Sequence, residues 1–175
     1  ARYSVETIST VDNDPAGVRS VIESLLRQRV DALVLIVVDV AVLDVVRGLD
    51  RAIPVVAVAA SPRPSPLTVS IDQYRGARSA VRHLAEAGHT RILHVAGPLP
   101  NPDAMERERG WRDELIVRRL EIVEPERGDW SAASGYELGR RLDVEPGDGI
   151  FVGNDHMSIG LLSALRERGL RVPED

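Results

Sequence analysis

The segment VSIDQYRGARSAVRHLAEAGHTRILHVAGP, residues 69–98, carries a strand, a helix and a second strand in direct succession. Residues 67–71 have the β-branched and apolar composition of a strand, and residues 76–87 carry apolar side chains at helical spacing. Gly88 predicts the end of that helix, and residues 92–96, ILHVA, predict the next strand. Two strands joined by one helix are typical of a right-handed crossover between parallel strands. This stretch therefore predicts an α/β fold.

The alternation of strand and helix continues in both directions from this unit. Towards the N-terminus we predict a strand at 5–10, a helix after Asp14-Pro15, strands at 31–38 and 53–59, and a helix at 40–52. Towards the C-terminus we predict helices at 105–118, 134–142 and 156–168, with strands at 120–123 and 149–153. The strand at 31–38 is nearly all apolar, as expected of a strand buried on both faces. The pattern predicts parallel sheets covered by helices.

The composition excludes several classes of protein. The chain has no Cys, which rules out disulfides and cysteine-ligated zinc. Its net charge of −5 does not favour binding of this segment alone to nucleic acid. The longest apolar run, residues 32–46, is interrupted by Asp39 and Asp44 and does not predict a membrane span. The first residues do not resemble a signal peptide.

No motif for enzymatic chemistry is present in the sequence. Neither GxGxxG after a strand nor GxxxxGK[ST] occurs, so no dinucleotide or nucleoside triphosphate is indicated. The four His lack paired metal-binding spacing, and no GxSxG nucleophile elbow exists. We therefore expect no cofactor, no metal and no enzymatic activity.

Polar residues directly after the predicted strands are the candidates for a binding site. Ligands of open α/β sheets bind beyond the carboxyl ends of the strands. Trp130, in the RGDWS turn, could stack on the apolar face of a sugar ring or pack against a neighbouring helix. Arg107 could donate charge-assisted hydrogen bonds into a cleft, or it could be a solvated surface residue.

Two further candidates have a structural alternative. Asn154 offers both a donor and an acceptor to hydroxyl groups, or it could cap the last helix. Asp155 could provide that cap instead and leave Asn154 free. Asp72 could accept a hydrogen bond from a ligand hydroxyl, or it could cap the helix that follows it.

Several of these positions also carry a resemblance to a known family. Residues 69–98 resemble the run V-x-x-D…G-A-x-x-A…H-L-x-x-x-G-H-x-x-I-x-x-x-x-G-P of the LacI/GalR-type transcription regulators. ERERGWRDEL resembles their R-x-x-G-[FW] helix start, and GDWSAASGY is similar to the lactose-repressor branch. FVGNDHMSIGLLSALRERGLRVPED resembles their F-x-x-N-D…G…A-L…G-x-x-V-P-x-D signature. The order and approximate spacing agree over essentially the whole chain.

The resemblance implies an effector domain of the periplasmic-binding-protein type I fold. Such a domain has two Rossmann-like lobes with a small molecule in the cleft between them. Residues 1–89 would belong to the first lobe and residues 90–175 to the second, both incomplete. The family's ligand-binding positions fall on the following residues of this chain: Arg107, Trp130 and Asn154, with Asp155 beside it and Asp72 and Tyr74 as further cleft residues.

The resemblance also implies how such a domain functions. The effector would be a sugar or a nucleoside-like compound that changes the geometry of a homodimer, and thereby its affinity for operator DNA. DNA binding would belong to a headpiece that is not among these residues, in a cytoplasmic protein without membrane contact. The alternative is a periplasmic sugar-binding receptor of a transporter, which shares the fold.

Overall fold

The structure is a computed structural model that describes residues 4–8, 15–37, 53–59, 68–99 and 101–174. The chain divides into two compact units, Ala1–Ile71 and Asp72–Asp175. The predicted helix at 40–52 and the cap at Asp14 lie outside the described residues. Residues 4–8 have no regular structure, in contrast to the strand predicted at 5–10.

The first unit contains one helix and a three-stranded sheet among its described residues. The elements are α1 (Pro15–Arg27), β1 (Leu33–Val37), β2 (Val55–Ala59) and β3 (Thr68–Val69). The sheet is parallel in the order β1-β2-β3, with Leu33 opposite Val55 and Ala57 opposite Thr68. This confirms the predicted parallel pairing.

The first strand is not buried on both faces, in contrast to the prediction. Leu33 is 6% exposed, whereas Val34 is 70% and Ile36 is 81% exposed. Successive side chains of a strand point to opposite faces of the sheet. The described part of this sheet therefore has one face with buried side chains and one open apolar face.

In the second unit, helices and strands alternate without exception. Its elements are α2 (Gln73–Glu86), β4 (Ile92–Ala96), α3 (Pro102–Arg118), β5 (Glu126–Arg127), α4 (Ala132–Arg141), β6 (Gly149–Val152) and α5 (Asp155–Glu167). The strands are parallel in the order β5-β4-β6, with Ile92 opposite Gly149 and Val95 opposite Glu126. All five residues of β4 are buried, as expected for the central strand.

Helix caps explain where two helices begin earlier than predicted. Asp72 accepts a hydrogen bond from the Arg75 backbone N–H at 2.9 Å, and α2 begins at the next residue. Asn101 accepts from the Ala104 N–H at 3.0 Å, and α3 begins at Pro102. Proline is favoured at the first helical position because its missing N–H needs no partner there.

The two units divide between Ile71 and Asp72, and the lobe boundary predicted near residue 89 stays a prediction. Helix α2 belongs to the second unit because it packs on α3, and its Val81 joins a core cluster with Ile92, Trp111 and Leu115. Glu114 strengthens this contact, since its buried carboxylate accepts hydrogen bonds from Arg78, Arg82 and Arg118. Burial opposes ionisation of Glu114, but these hydrogen bonds outweigh it and lower the pKa of the carboxyl.

The other face of the second sheet is covered by α4 and α5. Leu93 and Val95 of β4 pack there against Leu138, Leu142, Met157, Leu161 and Leu165. Glycine allows these two helices to approach closely. A Cβ atom at Gly160 would overlap the carbonyl oxygen of Ala132, and one at Gly135 would overlap the backbone of Met157.

His94 of β4 lies in the core on the α3 side. Its ring stacks on Phe151 at 4.8 Å and lies 5.4 Å from Trp111. Nδ1–H donates to the Phe151 carbonyl at 2.8 Å, while Nε2 is buried with no partner among the described residues. Burial lowers the pKa of His94 to about 4, although the hydrogen bond to Phe151 opposes this shift.

Because α4 and α5 are in close contact, a methyl group added at this contact should strongly lower the free energy of unfolding. Gly160→Ala should lower the free energy of unfolding by about 2 kcal/mol, because the helices must separate to admit the Cβ. Gly76→Ala on α2 is the matched control, since a Cβ there meets nothing within 4 Å. It should raise stability by about 0.5 to 1 kcal/mol through its higher helix propensity. Urea unfolding measures both, and equal effects of the two substitutions would contradict the close packing.

The burial of His94 predicts a loss of stability in mild acid. The unfolded chain takes up a proton near pH 6.5, whereas folded His94 does so only near pH 4. The free energy of unfolding should therefore fall between these pH values, by about 1.4 kcal/mol per pH unit at most. His94→Gln should remove this part of the slope, and His83→Gln, at an exposed position on α2, should keep it. A slope that persists in His94→Gln would show that another group causes it.

Candidate functional site

Three polar loops meet at the carboxyl edge of the second sheet. They follow β4 at Gly97, β5 at Gly128 and β6 at Gly153. Gly128 N–H donates to the Ala96 carbonyl at 2.9 Å and Gly153 N–H donates to the Val95 carbonyl at 2.8 Å. Both outer loops are thus attached to the end of the central strand.

Trp130 lies across the glycines at the ends of two neighbouring strands. A Cβ atom at Gly97 would overlap its six-membered ring, and a Cβ at Gly153 would lie 3.2 Å from its Cζ3. The indole also packs against the core cluster on the α4 and α5 side, and the residue remains partly exposed. Trp130 therefore combines the two alternatives of the sequence analysis, a packed residue and a partly exposed aromatic surface.

The backbone of Trp130 is in the left-handed region, with φ of 77°. This conformation is uncommon for a residue with a bulky side chain. Asp129 supports it, since its Oδ1 accepts from the Ser131 backbone N–H at 2.9 Å and from the Ser131 hydroxyl at 2.6 Å. Ser134 Oγ accepts from the Asp129 N–H at 3.1 Å. The hydrogen bonds from Ser131 lower the pKa of Asp129 to about 2.

Asn154 supports the same residue from β6. Its side-chain amide donates to the Trp130 carbonyl at 2.9 Å, and its Oδ1 accepts from the Met157 N–H at 2.9 Å. Asn154 is thus the cap of α5, and Asp155 is the first, exposed residue of that helix. The possibility that Asp155 caps the helix and leaves Asn154 free is wrong, because both polar groups of Asn154 have protein partners.

Arg107 lies in the second turn of α3, beside Trp130. Its Nε donates to Gln73 Oε1 at 2.9 Å, and its Nη1 donates to the Gly153 carbonyl. The centre of the guanidinium lies 5.7 Å from the centroid of the Trp130 ring, within the range of a cation–π contact. Nη2 lies 3.9 Å from Oδ2 of Asp103, one helical turn earlier. Arg107 is therefore a positioned cation and not a solvated surface residue.

The structure does not bring the remaining candidates into this group of side chains. Asp72 is the cap of α2, the structural alternative given for it. Tyr74 donates its hydroxyl to Asp113 at 2.9 Å, and its ring lies 4.0 Å below the guanidinium of Arg109. Tyr74 therefore contributes to the contact between α2 and α3, and its place in a cleft stays a prediction.

Three residues in or next to this group were not named as candidates in the sequence analysis. Gln73 accepts a hydrogen bond from Arg107, and Asp103 faces Arg107. Asp129 supports the backbone of Trp130 through its hydrogen bonds from Ser131. Asp103 could have been found, because it precedes Arg107 by four residues on one helix face. We define the carboxyl-edge cluster as the following residues: Gln73, Asp103, Arg107, Trp130, Gly153 and Asn154.

The carboxyl-edge cluster has the groups needed to bind a small polar molecule. It combines a partly exposed aromatic ring, a guanidinium and a carboxylate, and it lies entirely within the second unit. Among the residues that the structure describes, no three His, Asp or Glu side chains could hold a metal ion. In the same described ranges, no helix is long and apolar enough to cross a membrane.

Comparison with known proteins identifies relatives of the whole chain. The chain matches the periplasmic binding protein domain over residues 1–174. It is 32% identical over 180 residues to the HTH-type transcriptional repressor PurR of Haemophilus influenzae (strain PittEE), a match that covers 99% of this chain and 53% of that protein. It is 36% identical over 103 residues to the lactose operon repressor of Escherichia coli (strain K12). This match covers 57% of this chain and 28% of that protein. The chain spans about half the length of that PurR repressor.

Solved structures of transcriptional regulators share the fold. The transcription regulator CcpA of Lactococcus lactis superimposes with a TM-score of 0.77 at 27% identity, over 95% of this chain and 63% of that one. The lac repressor dimer bound to operator and the anti-inducer ONPF superimposes with a TM-score of 0.76 at 28% identity, over 91% of this chain and 57% of that one. The relatives are transcriptional repressors, which agrees with the prediction that the chain is not an enzyme. The chain belongs to the periplasmic binding protein domain family, and the relatives and solved structures named above are transcriptional regulators.

Proposed function

We propose that this chain is the effector-sensing part of a LacI-type transcriptional regulator, and that its effector is a sugar bound at the carboxyl-edge cluster. The observation that carries the proposal is Trp130, which is partly exposed and held against Gly97 and Gly153 beside Arg107. An aromatic ring next to a fixed donor is suited to a sugar, because the C–H face of the sugar stacks while its hydroxyls form hydrogen bonds.

The relatives support a sugar but also leave another class of effector open. One relative is the lactose operon repressor, and one solved structure is described as a sugar-binding transcriptional regulator of the LacI family. A relative that matches 99% of the chain is the repressor PurR, whose name does not indicate a sugar. The choice of a sugar therefore rests on the arrangement of Trp130 and Arg107.

In the proposed mechanism the effector shifts a conformational equilibrium of the regulator. It can do so only by binding one conformation more tightly than the other, since equal affinity changes no population. The chain carries a net charge of −5, so the contacts to operator DNA would come from another part of the protein. We propose a cytoplasmic homodimer, in line with the lac repressor dimer bound to operator.

The role of Trp130 predicts different fluorescence responses in variants of the two Trp residues. The chain has two Trp, and Trp111 is fully buried with its Nε1–H bonded to the Ile92 carbonyl. With the full-length protein, Trp111→Phe should retain a saturable fluorescence change on titration with mono- and disaccharides. Trp130→Phe should lose most of this change, and Trp130→Ala should weaken binding at least about tenfold, or about 1.4 kcal/mol.

Far-UV circular dichroism of each variant provides the control for folding. A folded wild-type protein whose tryptophan fluorescence responds to no sugar would contradict the sugar proposal. A sugar response of equal affinity in Trp130→Ala would locate the ligand elsewhere.

The role of Asp129 predicts a loss of affinity without a direct contact to ligand. Asp129→Ala removes the acceptor for the two hydrogen bonds from Ser131, and the left-handed backbone of Trp130 should then relax. Sugar affinity should fall about three- to tenfold, and the near-UV circular dichroism of Trp130 should weaken. Asp143→Ala is the matched control, because Asp143 is an exposed Asp that pairs with Arg91. An unchanged near-UV signal in Asp129→Ala would show that Asp129 does not hold the indole.

A further inference from the structure

Helix α5 carries an exposed apolar pair on the face that points away from the core. Ile159 is 63% exposed and Leu162 is 46% exposed. Asp155 in the first turn and Arg166 in the last turn are exposed as well. The four residues follow one another at spacings of four, three and four, so their side chains form one narrow stripe on a helix with 3.6 residues per turn. We define these residues, Asp155, Ile159, Leu162 and Arg166, as the α5 stripe.

The two charged side chains of the α5 stripe have no partner of opposite charge within the described part of the chain. The ion pairs of the second unit engage other residues, such as Arg91 with Asp148 and Arg127 with Glu108. The ends of the stripe lie about 16 Å apart along the helix axis, too far for the two charges to reach each other. An acid at one end and a base at the other are therefore free to meet a docking partner.

The helix that carries the stripe is fixed on its inner side. Met157, Leu161 and Leu165 are buried in the core cluster that α4 and α5 cover. Gly160 lies so close to Ala132 that a Cβ atom there would overlap the Ala132 carbonyl oxygen. The α5 stripe is thus a preformed surface, and docking on it requires little ordering of the chain.

The order of the residues makes the stripe complementary to itself. A twofold axis through the middle of α5 sets a second α5 antiparallel to the first, and each contact of such an interface occurs twice. Ile159 then meets the partner's Leu162, and Asp155 meets the partner's Arg166. A second helix in the parallel direction would place like charges side by side, so the charges select the antiparallel arrangement.

We propose that the α5 stripe is the surface on which a second copy of this chain docks, through an antiparallel pair of α5 helices. The apolar pair forms the buried centre of the contact, and the two ion pairs at its ends set the register. This inference rests on the proposed function, from which it takes the homodimer. It deepens that proposal, since it names the residues through which the two copies meet.

Reversal of the charges tests both the identity of the partner and the direction of the helices. Asp155→Arg and Arg166→Asp in the full-length protein should each raise the dissociation constant of the dimer at least about tenfold, because each creates two pairs of like charges. A mixture of the two variants should form a heterodimer about as tight as the wild-type dimer, since every pair is then of opposite charge. Sedimentation velocity with fluorescence detection measures these constants over a dilution series, with one variant labelled in the mixture.

Ile159→Ser tests the apolar centre, and Val117→Ser is its matched control. Val117 is an apolar residue of α3 that is 67% exposed and lies outside the stripe. Ile159→Ser should weaken the dimer at least about tenfold, because it removes an apolar side chain from both copies, whereas Val117→Ser should leave the dimer unchanged. Far-UV circular dichroism checks the fold of each variant. If Asp155→Arg does not fold, Arg166→Asp and Ile159→Ser decide the question together.

Three results would overturn the inference. The first is a folded wild-type protein that is monomeric at every concentration, and the second is a dimer that Arg166→Asp and Ile159→Ser weaken no more than Val117→Ser does. The third is a mixture of Asp155→Arg and Arg166→Asp that forms no heterodimer. Failure of the sugar proposal is recognised separately, by a dimer that these variants weaken as expected but whose tryptophan fluorescence responds to no saccharide.

Discussion

The hydrogen bonds of the central strand Ile92–Ala96 are the constraint on which the rest of the second unit depends. This strand pairs with β5 on one side and with β6 on the other, and the carbonyls at its end accept from Gly128 and Gly153. The register also fixes which side chains face which helix pair. A slip by one residue would exchange His94 with Val95 and reverse both cores. The polar edge and the two apolar faces are therefore set by the same ladder of backbone bonds.

The fold of the second unit could be predicted because each element carries a clear local signal. Ile92–Ala96 was predicted with its observed bounds, and the helices were found to within three residues of their observed starts. The strand predicted at residues 120–123 was wrong, because Leu120, Ile122 and Val123 use their apolar side chains for packing against the core clusters. The strand that does form, Glu126–Arg127, is too short and too polar for a pattern to show. The open face of the first sheet could not be predicted, since a run of apolar residues does not reveal which side is covered.

The place of the carboxyl-edge cluster in the fold was predictable from the sequence, its contacts were less so, and its role in binding stays a prediction. The rule that residues after parallel strands lie at the carboxyl edge of the sheet predicted that Arg107, Trp130 and Asn154 lie together, as they do in the structure. The same rule also selected Asp72 and Tyr74, because it cannot distinguish a helix cap or a contact between helices from a side chain at the edge. The two hydrogen bonds of the Asn154 side chain, to the Trp130 carbonyl and from the Met157 N–H, join parts of the chain that are separate in sequence or belong to the start of α5. No local pattern contains those hydrogen bonds, and the same holds for the contact of Gln73 with Arg107.

The indole of Trp130 and the two glycines beneath it also constrain how this sequence can change over time. Neither Gly97 nor Gly153 has a positive φ, so their backbone conformations would admit other residues. At Gly97 the ring occupies the space of a side chain, whereas a Cβ at Gly153 would lie 3.2 Å from Trp130 Cζ3, from Met157 Cε and from the Val95 carbonyl oxygen. A side chain at Gly97 becomes acceptable only after Trp130 has been replaced by something smaller, whereas a large ring cannot arise at position 130 over a side chain at position 97. The order of substitutions at positions 97 and 130 therefore matters.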